Sequence, residues 1–183
     1  MDIVVLNGNA AETNAGFDDY LAVLADRMRL RGNTVTIFPL REMDIRSCIG
    51  CFSCWVKTPG VCIFADDHPA ILRAYVAGDL VLFAAPLVMG FTSALLKKAT
   101  DRIIPILLPY IDGASGECRH FLRYARSPEM AVLYQPEEDT DFADLEIMQN
   151  MWRRLARNAQ SRIAFSRSIN DPVEEVCREI DRR

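Results

Sequence analysis

No stretch of this 183-residue chain is apolar for long enough to cross a bilayer. The two richest runs, DLVLFAAPLVMGF at 79–91 and RIIPILLPYI at 102–111, are short or broken by proline, against the roughly 20 apolar residues that a span needs. The opening residues MDIVVLNGNAAET carry no basic flank ahead of a long apolar run. No secretory leader is therefore expected, and the setting is read as cytoplasmic and reducing. Charge of one sign is scarce as well. The net charge is −4, which removes the electrostatic reason to expect nucleic acid or an anionic membrane as partner. Glycine is thin at the first strand end, where Gly8 stands with no glycine-rich phosphate loop and no lysine of the Walker type. No repeat, low-complexity tract or shift of composition divides the chain, so one domain is expected over residues 1–183.

Half of the residues are apolar, enough for a sizeable core. DIVVLN, TVTIFPL, DLVLFAAP and EMAVLYQ read as strands, and DLVLFAAP is apolar on both faces, as the centre of a parallel sheet should be. Phe17, Leu21, Leu24 and Met28 recur three to four residues apart, the stripe of a helix with one face on a core. Gly32 then stands where a left-handed helix terminus wants a glycine. Further helices are expected at DDHPAILRAYVAG, at about 91–103, at DFADLEIMQNMWRRLARNA and at DPVEEVCREIDR. The last is capped by Asp171 with Pro172 in its first turn. RIAFS supplies a fifth short strand. Alternation of this kind predicts a doubly wound α/β fold with a parallel sheet, whose ligands sit beyond the carboxyl ends of the strands.

Two strand ends carry candidate chemistry. NGNAAETNAG offers backbone N–H groups and a positive helix end to a phosphate, with Asn9, Thr13 and Asn14 as further donors; a plain βα turn explains it equally. In APLVMGFTSALLKKATDR, Pro86 and Gly90 bracket an apolar loop that can lie against a flat aromatic ligand, with Thr92 and Ser93 free to cap the next helix. The plainer reading is that Leu87, Val88 and Met89 cover the sheet. Lys97 and Asp101 are explained as an i,i+4 ion pair. His120, Arg123 and Tyr124 near Cys118 read either as a cationic surface or as a solvated loop. Trp55 and Trp152 read as stacking groups or as half-buried packing.

The insert at 47–67 holds Cys48, Cys51, Cys54 and Cys62 in the spacing C-x2-C-x2-C-x7-C. In a reducing setting such thiols are ligands or reactive groups sooner than disulfides. A compact triple with a fourth after Pro59–Gly60 suits an iron–sulfur cubane better than zinc, and unmetallated thiols remain the alternative.

SCIGCFSCWVKTPGVCIFADD, together with APLVMGFTSALLKKATDRIIP, resembles the flavodoxin-like NAD(P)H-dependent FMN reductase family, including its iron–sulfur flavoprotein branch. The resemblance implies a five-stranded sheet in the order 2-1-3-4-5 with FMN across the strand ends. It places the phosphate near Asn9, Thr13 and Asn14, and the isoalloxazine against Pro86, Leu87, Val88, Met89, Gly90 and Phe91. It implies NAD(P)H as electron donor, a small-molecule or protein acceptor, and a homodimer or homotetramer. In the iron–sulfur branch, cysteines spaced as Cys48, Cys51, Cys54 and Cys62 hold a [4Fe-4S] cluster. Two loops differ from the family pattern. The first reads GNAAET and carries Glu12. The fourth strand is followed by Glu137, Glu138 and Asp139, whose charges oppose a phosphate or a reduced flavin. Three readings follow: an FMN-dependent oxidoreductase needing no protein general acid or nucleophile, an electron carrier with a cluster on the cysteines, and a binding module that has lost its flavin.

Overall fold

The computed structural model describes residues 1–113 and 116–183. In chain order it runs β1 (Asp2–Asn7), α1 (Ala15–Leu30), β2 (Thr34–Pro39), α2 (Ser53–Val56), α3 (His68–Ala77), β3 (Leu80–Val88), β4 (Phe91–Thr92) and α4 (Ala94–Thr100). It continues with β5 (Leu107–Asp112), β6 (Arg119–Leu122), β7 (Glu129–Gln135), α5 (Phe142–Asn158), β8 (Ile163–Ser168) and α6 (Val173–Asp181). Five parallel strands form the sheet in the order β2-β1-β3-β7-β8, the flavodoxin-like order expected from the sequence.

The burial pattern explains the layering. Side chains alternate across a strand, so Val4 and Leu6 enter one core while Ile3 and Val5 enter the other. The first core is closed by Ile71 and Tyr75 of α3, Leu96 of α4, and Met148 and Trp152 of α5. The second is closed by Phe17, Leu21, Leu24 and Met28 of α1 and by Val176 and Ile180 of α6. The first six residues of β3 leave no face for solvent, since Val81, Phe83 and Ala84 are all fully buried. Each large side chain taken from water contributes about 1.5–3 kcal/mol before entropy is charged against it. Gly32 takes the left-handed conformation beyond α1, at φ +82.

Local expectations fail where distant contacts intervene. The helix expected at about 91–103 begins later, because Val88 pairs with Phe91 and Leu87 with Thr92 in a short antiparallel hairpin. Ser93 then caps α4, its Oγ accepting from the Leu96 amide at 3.3 Å. The proline-bearing connection pairs as β5 and β6 and takes in Arg119–Leu122, part of the segment read from the sequence as a cationic surface or a solvated loop. Asp171 does not cap α6: Pro172 occupies that position, and the Asp171 carboxylate accepts from the Ser168 amide at 3.3 Å.

Candidate functional site at the carboxyl ends of the strands

β1 ends in a loop that is wired by its own asparagines. Asn7 and Asn9 are buried. The Asn7 carboxamide donates to Asp18 Oδ1 at 2.7 Å and accepts the Asn9 amide at 2.9 Å. Asn9 accepts the Ala11 amide at 3.2 Å and donates to the Asn14 carbonyl at 3.0 Å. Asn9 therefore shapes the loop, and its side chain is spent inside it. Asn14 reaches across to β7 and donates to Gln135 Oε1 at 2.6 Å. Thr13 is exposed. Beyond Asn14, α1 starts with no side-chain cap, so its first-turn N–H groups and its positive end face the loop without a side-chain acceptor. Asp18, in that same turn, would oppose an anion, but Arg41 bonds its other oxygen at 2.7 Å. Burial raises the Asp18 carboxyl, and the hydrogen bonds from Asn7, Arg41 and Asn9 more than reverse this, leaving it below the ordinary range.

Across β3, Met89 and Gly90 form a two-residue turn with both residues left-handed, at φ 54 and 71, the geometry of a type I′ hairpin. Their amides point at Glu137, whose carboxylate accepts both, at 3.0 Å from Met89 and 2.9 Å from Gly90. Those two donors, Gly90 first, hold the Glu137 carboxyl below its usual value. Asp144 of α5 stands on the other side of the turn, so close that a Cβ at Gly90 would lie 2.9 Å from its Oδ1. Of the residues expected to contact a planar ring, Val88 and Met89 are exposed while Pro86, Gly90 and Phe91 are half-buried. Leu87 turns into the core. The Thr92 hydroxyl is buried with no hydrogen-bond partner.

The two halves of the shelf differ in their fit to FMN. The uncapped start of α1 and the exposed Thr13 suit a phosphate. The hairpin amides that would meet a ring are taken by the protein's own carboxylate. Asn7, Asp18, Arg41, Gln135 and Glu137 escaped sequence reasoning as site residues. The one available signal was the acidic run after β7, read only as repulsion.

The cysteine insert lies against the β5–β6 hairpin. Trp55 donates to the carbonyls of Leu107 at 3.0 Å and Ile104 at 3.2 Å, and its ring meets Phe52 and His120 with centroids 5.3 and 5.1 Å away. His120 and Arg123 are engaged with the backbone, on Leu108 O at 2.8 Å and Pro105 O at 2.9 Å. Cys48 and Cys51 are exposed, Cys54 and Cys62 half-buried. Burial raises the Cys54 thiol, and the charges of Cys62, Cys51 and Cys48 raise it further. The Ser53 amide and hydroxyl lower Cys51. The thiols as folded do not converge: among the described residues no group of three or more His, Cys, Asp or Glu side chains is placed to hold a metal ion.

No protein-family model matches the sequence, and no curated protein matches it. Solved structures do. A flavone reductase shares 15% identity with a TM-score of 0.64 over 99% of this chain, which spans only 60% of that protein. The FMN-dependent NADH-azoreductase of Bacillus anthracis, solved with FMN, shares 13% identity at TM-score 0.64, covering all of this chain and 95% of that one. The NAD(P)H:quinone oxidoreductase of Methanothermobacter marburgensis shares 18% identity at TM-score 0.67, over 99% and 90% of the two chains. The chain has the flavodoxin-like fold.

Proposed function

We propose that the chain is an FMN-dependent oxidoreductase that moves electrons from a nicotinamide nucleotide to an acceptor. The observation that carries this reading is the uncapped start of α1 at the end of β1, placed beside the β3–β4 hairpin on a fold whose solved likenesses include FMN-bound and NAD(P)H-linked enzymes. The first-turn amides of α1 and Thr13 would hold the phosphate. Asn14 and Gln135, bonded to each other over the end of β3, would floor the site. When bound, FMN supplies the redox chemistry, taking a hydride from the nicotinamide and passing its electrons on. The chain's own part is to bind, orient and exclude water.

Glu137 is the element that must yield. Its carboxylate holds the Met89 and Gly90 amides in place of a ring acceptor, and its charge opposes the phosphate as well. Replacing it removes a competitor and a repulsive charge together. Fluorescence titration with FMN is expected to show Glu137→Ala binding roughly five- to tenfold tighter than the parent chain, with NADH bleaching the bound flavin anaerobically. Absence of FMN binding in both proteins would end the proposal and favour the binding-module reading, which the Glu137 contacts support.

A second reading rests on the sequence spacing alone: an electron carrier with a [4Fe-4S] cluster on Cys48, Cys51, Cys54 and Cys62, thiols that would have to draw together to hold it. Iron and sulfide analysis after anaerobic purification tests it, and protein without either rejects it. In either reading the chain assembles as a homodimer or homotetramer in the cytoplasm.

A further inference from the structure

A cavity of about 750 Å³ opens beneath α5, lined by residues of α5, β6, β7, β8 and the segment between α5 and β8. Beside it the register of the sheet shifts: Met130 pairs with Ile163 and Val132 with Ser166, so two steps along β7 match three along β8. Four arginines line the cavity: Arg119, Arg153, Arg157 and Arg162. No carboxylate is among its lining residues.

Three of those guanidinium groups are anchored from outside the cavity. Asp112 holds Arg119 at 2.8 Å, Glu129 holds Arg162, and Glu117 holds Arg157 at 2.5 Å. Arg153 has a different environment. Its guanidinium bonds the amide oxygens of Asn150 at 3.0 Å and Gln149 at 3.2 Å, and among the described residues it has no ion-pair partner. The wall therefore presents fixed donors and about one uncompensated positive charge.

Two buried polar atoms on the lining lack partners. Trp152 is only 5% exposed, yet its indole Nε1 has no hydrogen-bond partner, and neither has the Ser166 hydroxyl. The remaining surface includes Val132 and Ile163, apolar side chains that with the Trp152 ring suit a flat body, while Phe165 turns into the second core. The volume lies within the range of small-molecule sites.

We propose that this cavity is a binding site for a small monoanionic carboxylate carried on a planar apolar ring. The carboxylate meets Arg153, and the ring lies against Trp152, Val132 and Ile163. The site lies outside the strand-end shelf, and its occupancy does not require FMN.

Isothermal titration of the full chain at low salt tests this, with 2-naphthoate as probe and 2-naphthamide as its uncharged counterpart of like shape. The acid is expected to bind about tenfold tighter than the amide. Saturating FMN should leave that preference unchanged. Arg153→Gln, on an exposed position of α5, should abolish it with the thermal midpoint retained; Arg157→Gln provides a second variant. Loss of the preference in either folded variant supports the site. No binding of either probe, equal binding of both, survival of the preference in both variants, or displacement of the acid by FMN overturns it.

Discussion

Gly8 stands where β1 leaves the sheet. Its amide donates to the Ala84 carbonyl at 2.7 Å and its carbonyl accepts the Ser93 hydroxyl at 2.6 Å, which joins both strand ends of the shelf. A Cβ there would lie 2.7 Å from Leu96 Cβ and 2.9 Å from Ser93 Oγ, both in packed positions. Gly8→Ala is therefore expected to destabilise the chain by about 1–3 kcal/mol, the usual range for overpacking, read from the urea midpoint. Met89 shows the opposite imbalance. A non-glycine residue at φ 54, 93% exposed, has no packing to offset its strained backbone. Met89→Asn, a residue that tolerates this conformation, should raise stability by about 0.5–1 kcal/mol by the same measurement. An unchanged midpoint would mean that Met89 makes a compensating contact.

At the scale of elements, the join between the cysteine insert and α4 is the most tightly specified. Arg102, just beyond α4, forms a hydrogen-bonded ion pair with Asp66 in which the two side chains are 1% and 0% exposed. Burial raises the Asp66 carboxyl, but the bonds from Arg102 and from the Arg46 and His68 amides bring it down to about 2. Beside it His68 is wholly buried, with Nε2 2.9 Å from the Ala99 carbonyl, which makes Nε2–H the donor. Burial lowers its pKa to about 4; the Ala99 bond opposes this, the Arg102 charge adds to it, and Asp66 opposes it. Above pH 6.5, its ordinary value, the imidazole is neutral in both states and costs nothing. Between 6.5 and 4 the unfolded chain takes up a proton that the folded chain refuses, so stability falls as pH falls. From pH 7 to 4.5 the loss from this group is about 2–3 kcal/mol. Asp66 contributes above pH 3.8 and loses its share only between 3.8 and about 2, outside that interval. His68→Gln keeps a donor and cannot titrate. Denaturant unfolding at the two pH values should show its drop smaller than the parent's by about that amount, and equal drops would remove His68 as the cause.

Over the whole molecule, the five parallel strands were legible because each carries its own evidence: apolar runs such as DLVLFAAP have no polar face to hide. The contacts that give the candidate site its character were not. Glu137 meets Met89 and Gly90 across 48 and 47 positions, Asn14 meets Gln135 across 121, and Asp66 meets Arg102 across 36. No local period encodes such pairs, which exist only once strand order brings the loops together. The same closure sets out an exposed apolar strip. Val88 and Met89 at the hairpin tip adjoin α5, where Asp144 touches Gly90, while Phe142, Ile147 and Met151 stand 81%, 60% and 43% exposed. Phe91 and Met151 line one small cavity, so hairpin and helix form a continuous surface. We propose that these apolar side chains form an association surface covered by a second copy of the chain. Light scattering behind size exclusion at about 50 μM is expected to give a dimer or tetramer of the 20.6 kDa chain, and Phe142→Glu with Met151→Glu should shift it to monomer. A parent chain that is monomeric at that concentration, or an oligomer indifferent to both charges, would place the contact elsewhere or remove it.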